Sequence, residues 1–239
     1  MDLFETQWAS YRAVVGHDLM EHQAVASATA AALEEWLTNR PADAPPPRMV
    51  DLGCGDLALL TPLLRRLPLA GYTGLDLTAA VLPLAKAALG QVSYPTDWQE
   101  GELLAWATAA APADGSIKPV QILHTAFAVH HLSDERKGEF LAGARARITS
   151  DGLLIWADVF REPGESLEHY RERYSRRIRQ GWHLLSSGQQ EQVIAHLSQF
   201  DIPAERGRIE TVAEAAGWHW RWSWQGRHRA EALAVLTPA

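Results

Sequence analysis

From Met49 to Val159 short apolar runs alternate with longer stretches of helical periodicity, and no other feature of the chain restricts its fold as sharply. The pattern predicts strands at Met49–Leu52, Tyr72–Leu77, Val92–Tyr94, Val120–Thr125 and Gly152–Val159. Between them it predicts helices over Leu57–Leu67, Thr78–Leu89, Glu102–Ala109 and Ser133–Ile148. Strands separated by helices connect as right-handed βαβ units, which build a parallel sheet covered by helices on both faces.

The flanks extend this core. Leu19, Met20, Val25, Ala28, Ala32, Leu33 and Trp36 recur at helical intervals, and Asp18 with Glu21 reads as a capping box. The four prolines between Pro41 and Pro47 then form a linker, because no helix continues through them. Beyond the fifth strand, Leu167, Tyr170, Tyr174 and Ile178 make the apolar stripe of an amphipathic helix. Further helices are expected over Gln189–Leu197 and Ile209–Ala216, the latter stopped by Gly217 as a left-handed cap. Trp218–Trp224 and Ala230–Leu236 read as two closing strands in a hairpin.

The expected architecture is therefore α/β, a Rossmann-like, seven-stranded, mostly parallel sheet with helices on both faces. The 239 residues suit one such domain, organised as an N-terminal helical cap and linker (1–47), a ligand-binding core (48–160), and a helical cover with the closing strands (161–239).

A net charge of −7 argues against a nucleic-acid or anionic-membrane binder, since neutralising phosphates takes a basic face. Small-molecule chemistry becomes the default. The only cysteine, Cys54, excludes an intrachain disulfide and a multi-cysteine metal site, and fits a reducing cytoplasm. The start Met1-Asp2-Leu3-Phe4-Glu5 lacks a secretory pattern, and no run approaches the ~20 apolar residues of a membrane helix. Monomer and homodimer both remain open.

Val50-Asp51-Leu52-Gly53-Cys54-Gly55-Asp56-Leu57 is an apolar strand running into two glycines, which let a ligand approach the backbone where a side chain would block it. Alone, this also describes a tight strand-to-helix turn. Asp76 ends the next strand, 23 residues after Gly53, where a carboxylate can accept both hydroxyl hydrogens of a ribose. Thr78 offers a cap for the following helix and leaves Asp76 free for a ligand.

The order Asp51-x-Gly53-x-Gly55, Asp76, Asp97-Trp98 and Phe127-Ala128-Val129-His130-His131-Leu132 resembles the class I S-adenosylmethionine-dependent methyltransferases, over roughly half the chain from Val50 to Asp158. The resemblance implies that Gly53, Cys54 and Gly55 lie beside the methionine part of S-adenosylmethionine and that Asp76, with Leu77 next to it, holds the ribose. It further implies that Asp97 meets the adenine amine, with Trp98 as a stacking or backbone contact, and that Asp51 supports the loop or meets the cofactor amine. Ala126, at the end of the fourth strand, falls beside the cofactor, and Arg12, on a leading helix folded back, would meet its carboxylate. Leu57 stands where the loop commonly has a third glycine.

The fourth strand of such enzymes ends beside the transferring methyl group, which makes His130 and His131 candidate general bases, because imidazole titrates near neutral pH. Each reads equally well as a packing or backbone-bonded histidine. No metal is expected: the pair would need ligands converging from elsewhere, and no His-x-x-x-His or cysteine spacing supplies them. Asp158 and Arg161 after the fifth strand, Arg171 and Tyr174 on the cover helix, and Tyr11 near the N-terminus are substrate candidates. Most arginines of that helix read instead as partners in Glu–Arg pairs. Trp218, Trp220, Trp222 and Trp224 alternate as one face of a strand, a buried sheet face or dimer contact rather than an aromatic cage.

The reaction implied is methyl transfer to an O, N or C nucleophile of a small metabolite, leaving S-adenosylhomocysteine. A nicotinamide-dependent oxidoreductase also satisfies Gly53-x-Gly55-x-x-Ala58 with a later acid. A domain that binds S-adenosylmethionine without methylating is the other alternative, since one fold hosts varied chemistry.

Overall fold

The computed structural model describes residues 3–109 and 120–239. Met1 and Asp2 of the amino-terminal segment read above lie outside the described residues. Helices α1 (Leu3–Gly16) and α2 (His22–Thr38) precede a βα alternation: β1 (Arg48–Leu52), α3 (Thr61–Leu64), β2 (Gly71–Asp76), α4 (Leu82–Leu89), β3 (Thr96–Glu100), α5 (Leu103–Thr108), β4 (Val120–Ala126), α6 (Asp134–Arg147) and β5 (Ile148–Arg161). The chain continues through α7 (Leu167–Gly181), α8 (Ser187–Phe200), β6 (Ala204–Glu205) and α9 (Arg206–Ala215), and closes with β7 (Trp218–Gln225) and β8 (Glu231–Pro238).

The main sheet runs β3-β2-β1-β4-β5-β8-β7. Pairings from β3 to β5 are parallel; β8 joins β5 antiparallel and β7 joins β8 as a hairpin. Alternate side chains feed two cores, as the period of two demands. On one face Leu123, Leu154 and Trp156 pack with Phe140 and Leu141 of α6 and Ile209 of α9. On the other, Met49, Ile122 and Ile155 pack with Leu33 of α2, Leu64 of α3 and Ala85 of α4. A third core joins Val14 of α1 to Tyr170, Tyr174 and Ile178 of α7 and Ile194 and Leu197 of α8. It roofs the carboxyl edge of the sheet. The strand order reverses between β1 and β4, and in such sheets ligands bind at the carboxyl end of that switch point.

Several expectations change. The third strand is Thr96–Glu100, not Val92–Tyr94: it is a polar edge strand with β2 as its sheet neighbour, so it carries no apolar run, while Tyr94 is buried with its hydroxyl donating to Leu64 O at 2.7 Å. The helix expected over Leu57–Leu67 shrinks to Thr61–Leu64, because Leu57 takes a left-handed φ of 57°. The Asp18–Glu21 capping box does not form; both residues have positive φ, and Asp18 Oδ1 instead accepts from Gln23 N at 2.9 Å in the first turn of α2. The four alternating tryptophans do not share one face. Trp220 and Trp222 pack on the Trp156 side, whereas a bulge between Trp222 and Trp224 turns Trp224 to the opposite core. Gly217 does cap α9 at φ 84°.

Candidate functional site

A cavity of about 820 Å³ opens at the carboxyl ends of β1, β2 and β4, within the roughly 300–1,000 Å³ of ordinary ligand sites. Its floor is the Gly53–Leu60 loop, Asp76–Thr78 and Ala126–Leu132; α1, α2, α7 and α8 form the roof. Lining residues include Tyr11, Asp51, Gly53, Cys54, Gly55, Asp76, Leu77, Ala126, His130, His131 and Tyr174 among those named from sequence.

The loop after β1 is held by backbone bonds. Gly53 N and Cys54 N both donate to Leu75 O, at 2.8 and 3.0 Å. Gly53 has φ 77°, and a Cβ placed there would fall 2.6 Å from Ala128 Cβ, so glycine is required both by conformation and by the close approach of the β4 loop. Asp76 accepts from Gly55 N (2.9 Å) through one oxygen and from Thr78 N (2.8 Å) through the other. This reverses the expected division of labour. Thr78 makes no side-chain cap, and Asp76 both fastens the glycine loop and turns the chain into the next helix. Each carboxylate oxygen keeps a lone pair for a ligand. Burial pushes the Asp76 carboxyl up, against the pull of the two N–H donors.

Asp51 is buried below the loop, accepting from Tyr72 Oη at 2.9 Å and paired with His124 Nδ1 at 2.7 Å. His124, not singled out from sequence as a site residue, also lines the cavity. Its contact with Asp51 depends on β1 and β4 being neighbours, which no local pattern reveals. Cys54 is buried and burial pushes its thiol up. Tyr11 reaches over the loop, its hydroxyl 3.7 Å from where a Gly55 Cβ would stand; burial, then Asp56 and Asp76, push its phenol up. His22 on α2 packs against Phe127 with ring centroids 5.0 Å apart and planes tilted by 54°, and burial lowers its imidazole to about 4.

Asp97 and Trp98 do not line the cavity. Asp97 pairs with Thr73 near the start of β3, and its carboxylate is taken by Trp98 N and Gln99 Nε2. The carboxyl end of β3 instead brings Gly101 and Glu102 to the cavity. The ring of Trp98 packs on Gly74 and Tyr72. Arg12 lies on the exposed side of α1, away from the lining.

Past β4, Phe127 adopts a left-handed φ of 52° and the chain turns His130 inward. His130 Nδ1 lies 2.5 Å from Asp158 Oδ1, and His130 N donates to Asp158 Oδ2 at 3.0 Å. Trp156 Nε1 and Val159 N complete the buried carboxylate. Asp158 therefore orients His130 and does not line the cavity. Burial lowers the His130 imidazole, but the Asp158 charge and hydrogen bond, with Asp201, outweigh burial and leave it raised. His131, whose side chain is 42% exposed, is pushed down to about 3 by burial and by His130. Asp201, from the loop after α8, places Oδ1 3.6 Å from His130 Nε2, 3.4 Å from His131 Nδ1 and 3.5 Å from His196 Nε2. These converging groups are the ones sequence spacing gave no sign of.

The other substrate candidates have structural partners. Arg161 donates to Pro203 O (2.7 Å), Arg171 to Asp201 O (3.0 Å) and the fully buried Lys137 to Ile202 O (2.6 Å), so three cations clasp three successive carbonyls of the Asp201 loop. Neither Arg161 nor Arg171 lines the cavity. Tyr174 offers the cavity its ring, while its hydroxyl donates to Glu231 Oε1 at 2.7 Å.

No family profile matches the sequence, and no curated protein matches it. Solved structures do. The plantazolicin methyltransferase BamL, in complex with a triazolic desmethylPZN analog and SAH, superposes with a TM-score of 0.65 at 12% identity, covering 95% of this chain and 90% of that one. A DhpI–SAH complex gives 0.57 at 17% identity over 99% and 97%. A TehB-like SAM-dependent methyltransferase from Corynebacterium glutamicum gives 0.52 at 14% identity over 96% and 99%. The chain thus has the Rossmann-like α/β fold of these proteins, along nearly its full length. Among the described residues no helix is long and apolar enough to cross a membrane.

Proposed function

We propose that this chain is an S-adenosylmethionine-dependent methyltransferase acting on a small molecule. The observation that carries the reading is the cradle at the switch point: a backbone loop that only glycine can form at Gly53, fastened by Asp76. Structures of the same fold that hold SAH, BamL and DhpI, support it.

The residues present fit such a cofactor. Gly53 lets the loop turn tightly against Ala128, Gly55 leaves its backbone open to close approach beneath Tyr11, and Asp76 keeps two acceptor lone pairs at the rim, beside the exposed Leu77. Bound there, the cofactor supplies an electrophilic methyl group on sulfonium. The protein's part is positioning: holding the acceptor in line is worth several kcal/mol of barrier without any charged intermediate. Tyr174, Tyr170 and Trp182 of the roof enclose the acceptor's side in apolar surface and exclude water. His130, oriented by Asp158, and His131 line that side, where the nucleophile would sit. Oxygen, nitrogen and carbon acceptors all remain compatible with this wall.

The test is acceptor-dependent formation of S-adenosylhomocysteine, followed by mass spectrometry, when the full chain is incubated with the cofactor and a panel of small hydroxy, amino and enolisable compounds. Product that disappears in Gly53→Val supports the reading. A reproducible absorbance change with a nicotinamide cofactor, and no S-adenosylhomocysteine with any acceptor, overturns it in favour of an oxidoreductase.

A further inference from the structure

We propose that His130 Nε2, His131 Nδ1 and Asp201 Oδ1 hold a divalent transition-metal ion in the cavity wall, with one coordination position open to the acceptor. The three groups offer ligand atoms that all lie within 4.8 Å of one another. Asp201 Oδ1 is buried and, among the described residues, has no hydrogen-bond partner, although imidazole nitrogens stand 3.4, 3.5 and 3.6 Å away. Those spacings are long for hydrogen bonds, whose usual range ends near ~3.2 Å. The two that belong to the proposed ligands, 3.4 Å to His131 Nδ1 and 3.6 Å to His130 Nε2, lie close to the edge of a tetrahedron around an ion bound at about 2.0–2.1 Å, which is about 3.3–3.4 Å.

Two further features are those of a metal centre. The Nδ1 of His130 is bonded to the buried Asp158, which fixes the ring and turns the lone pair of Nε2 toward Asp201; carboxylate–histidine–metal relays are built this way. The two ligand-bearing segments are also locked to each other. Ile202 N donates to His130 O at 2.8 Å, and Lys137 Nζ bridges Leu132 O and Ile202 O. Arg161 and Arg171 fasten the same loop at Pro203 O and Asp201 O. Such preorganisation is more than an exposed charge pair needs.

Two imidazoles with one carboxylate select a borderline ion such as Zn²⁺ or Fe²⁺ over Mg²⁺ or Ca²⁺, which take oxygen ligands. His131 and His196 are nearly half exposed on the cavity side, so the open position faces the space shared with the Gly53 loop. There the ion would take an oxygen or nitrogen donor of the acceptor and favour its deprotonated form. That role rests on the methyl-transfer reading; occupancy of the site does not.

The experiment uses the untagged full chain, stripped with chelator and titrated with Co²⁺ and Zn²⁺ while visible absorption and bound metal are measured. The expected result is one ion per chain with tetrahedral-type Co²⁺ bands that Zn²⁺ displaces, and at least tenfold weaker binding in His131→Ala and Asp201→Asn, both with wild-type circular dichroism. Absence of stoichiometric binding by the wild type, or equal binding by both variants, overturns the proposal. S-adenosylhomocysteine is titrated in parallel. Metal binding without cofactor binding sinks the methyl-transfer reading and leaves the metal site standing; cofactor binding without metal binding does the reverse.

Discussion

Replacing Arg177 with methionine tests how the roof is fastened to the sheet. Glu231 opens β8 with no exposed surface, and its carboxylate accepts from Arg177 Nη1 at 2.6 and 2.9 Å and from Tyr174 Oη at 2.7 Å. Arg177 Nη2 also donates to Leu19 O at 2.8 Å, so one guanidinium ties α7 to β8 and to the turn between α1 and α2. Methionine fills similar volume but leaves a buried carboxylate with a single donor, which costs about 3–5 kcal/mol. Adding Glu231→Gln removes the stranded charge while Tyr174 can still donate to the amide oxygen. The double variant should then lie within about 1–2 kcal/mol of the wild type. Urea unfolding of the wild type, both single variants and the double variant gives the coupling energy. A single-variant loss under about 1 kcal/mol, or a double variant as unstable as Arg177→Met, would refute the idea that this pair is a closed, water-excluded unit.

Other perturbations follow from the same geometry. With His22 held at about 4 in the fold, the unfolded chain protonates first as pH falls, so stability is full above about 6.5 and drains away toward about 4. Asp18 and Glu231 pull the other way without overcoming burial. Between pH 7.5 and 4.5 the wild type should lose about 2.5 kcal/mol more than His22→Gln in urea unfolding; equal losses would contradict the assigned cause. Gly53→Ala meets Ala128 at 2.6 Å and a φ of 77°, so it should lower stability by about 1–3 kcal/mol and weaken cofactor binding more than tenfold, by calorimetry. Unchanged affinity would mean that the loop is not a ligand cradle.

Much of the architecture could be read locally because β1, β4 and β5 are buried on both faces and their apolar runs announce them. β3 could not, since an edge strand such as Thr96–Glu100 leaves its side chains mostly exposed and keeps no apolar signature. Trp224 shows a second limit: alternation assigns a face only until a bulge resets the register. In the site, the need for glycine at position 53 and an acid at position 76 is local, and both line the cavity. Partners are not local. Arg161, Arg171 and Tyr174 looked available because a sequence displays charge without showing the carbonyls and the Glu231 carboxylate that occupy it. Asp201 and His196 reach His130 and His131 only through the packing of α8 and the loop behind it.

The proposed binding of S-adenosylmethionine rests on the Gly53–Leu60 loop and on Asp76 at the end of β2. Calorimetric titration of S-adenosylmethionine and S-adenosylhomocysteine into the wild type and Asp76→Ala tests it most directly. Both should bind the wild type with micromolar affinity and the variant at least tenfold more weakly, about 1.4 kcal/mol. No binding of either ligand to the wild type, or equal affinity in the variant, would contradict it.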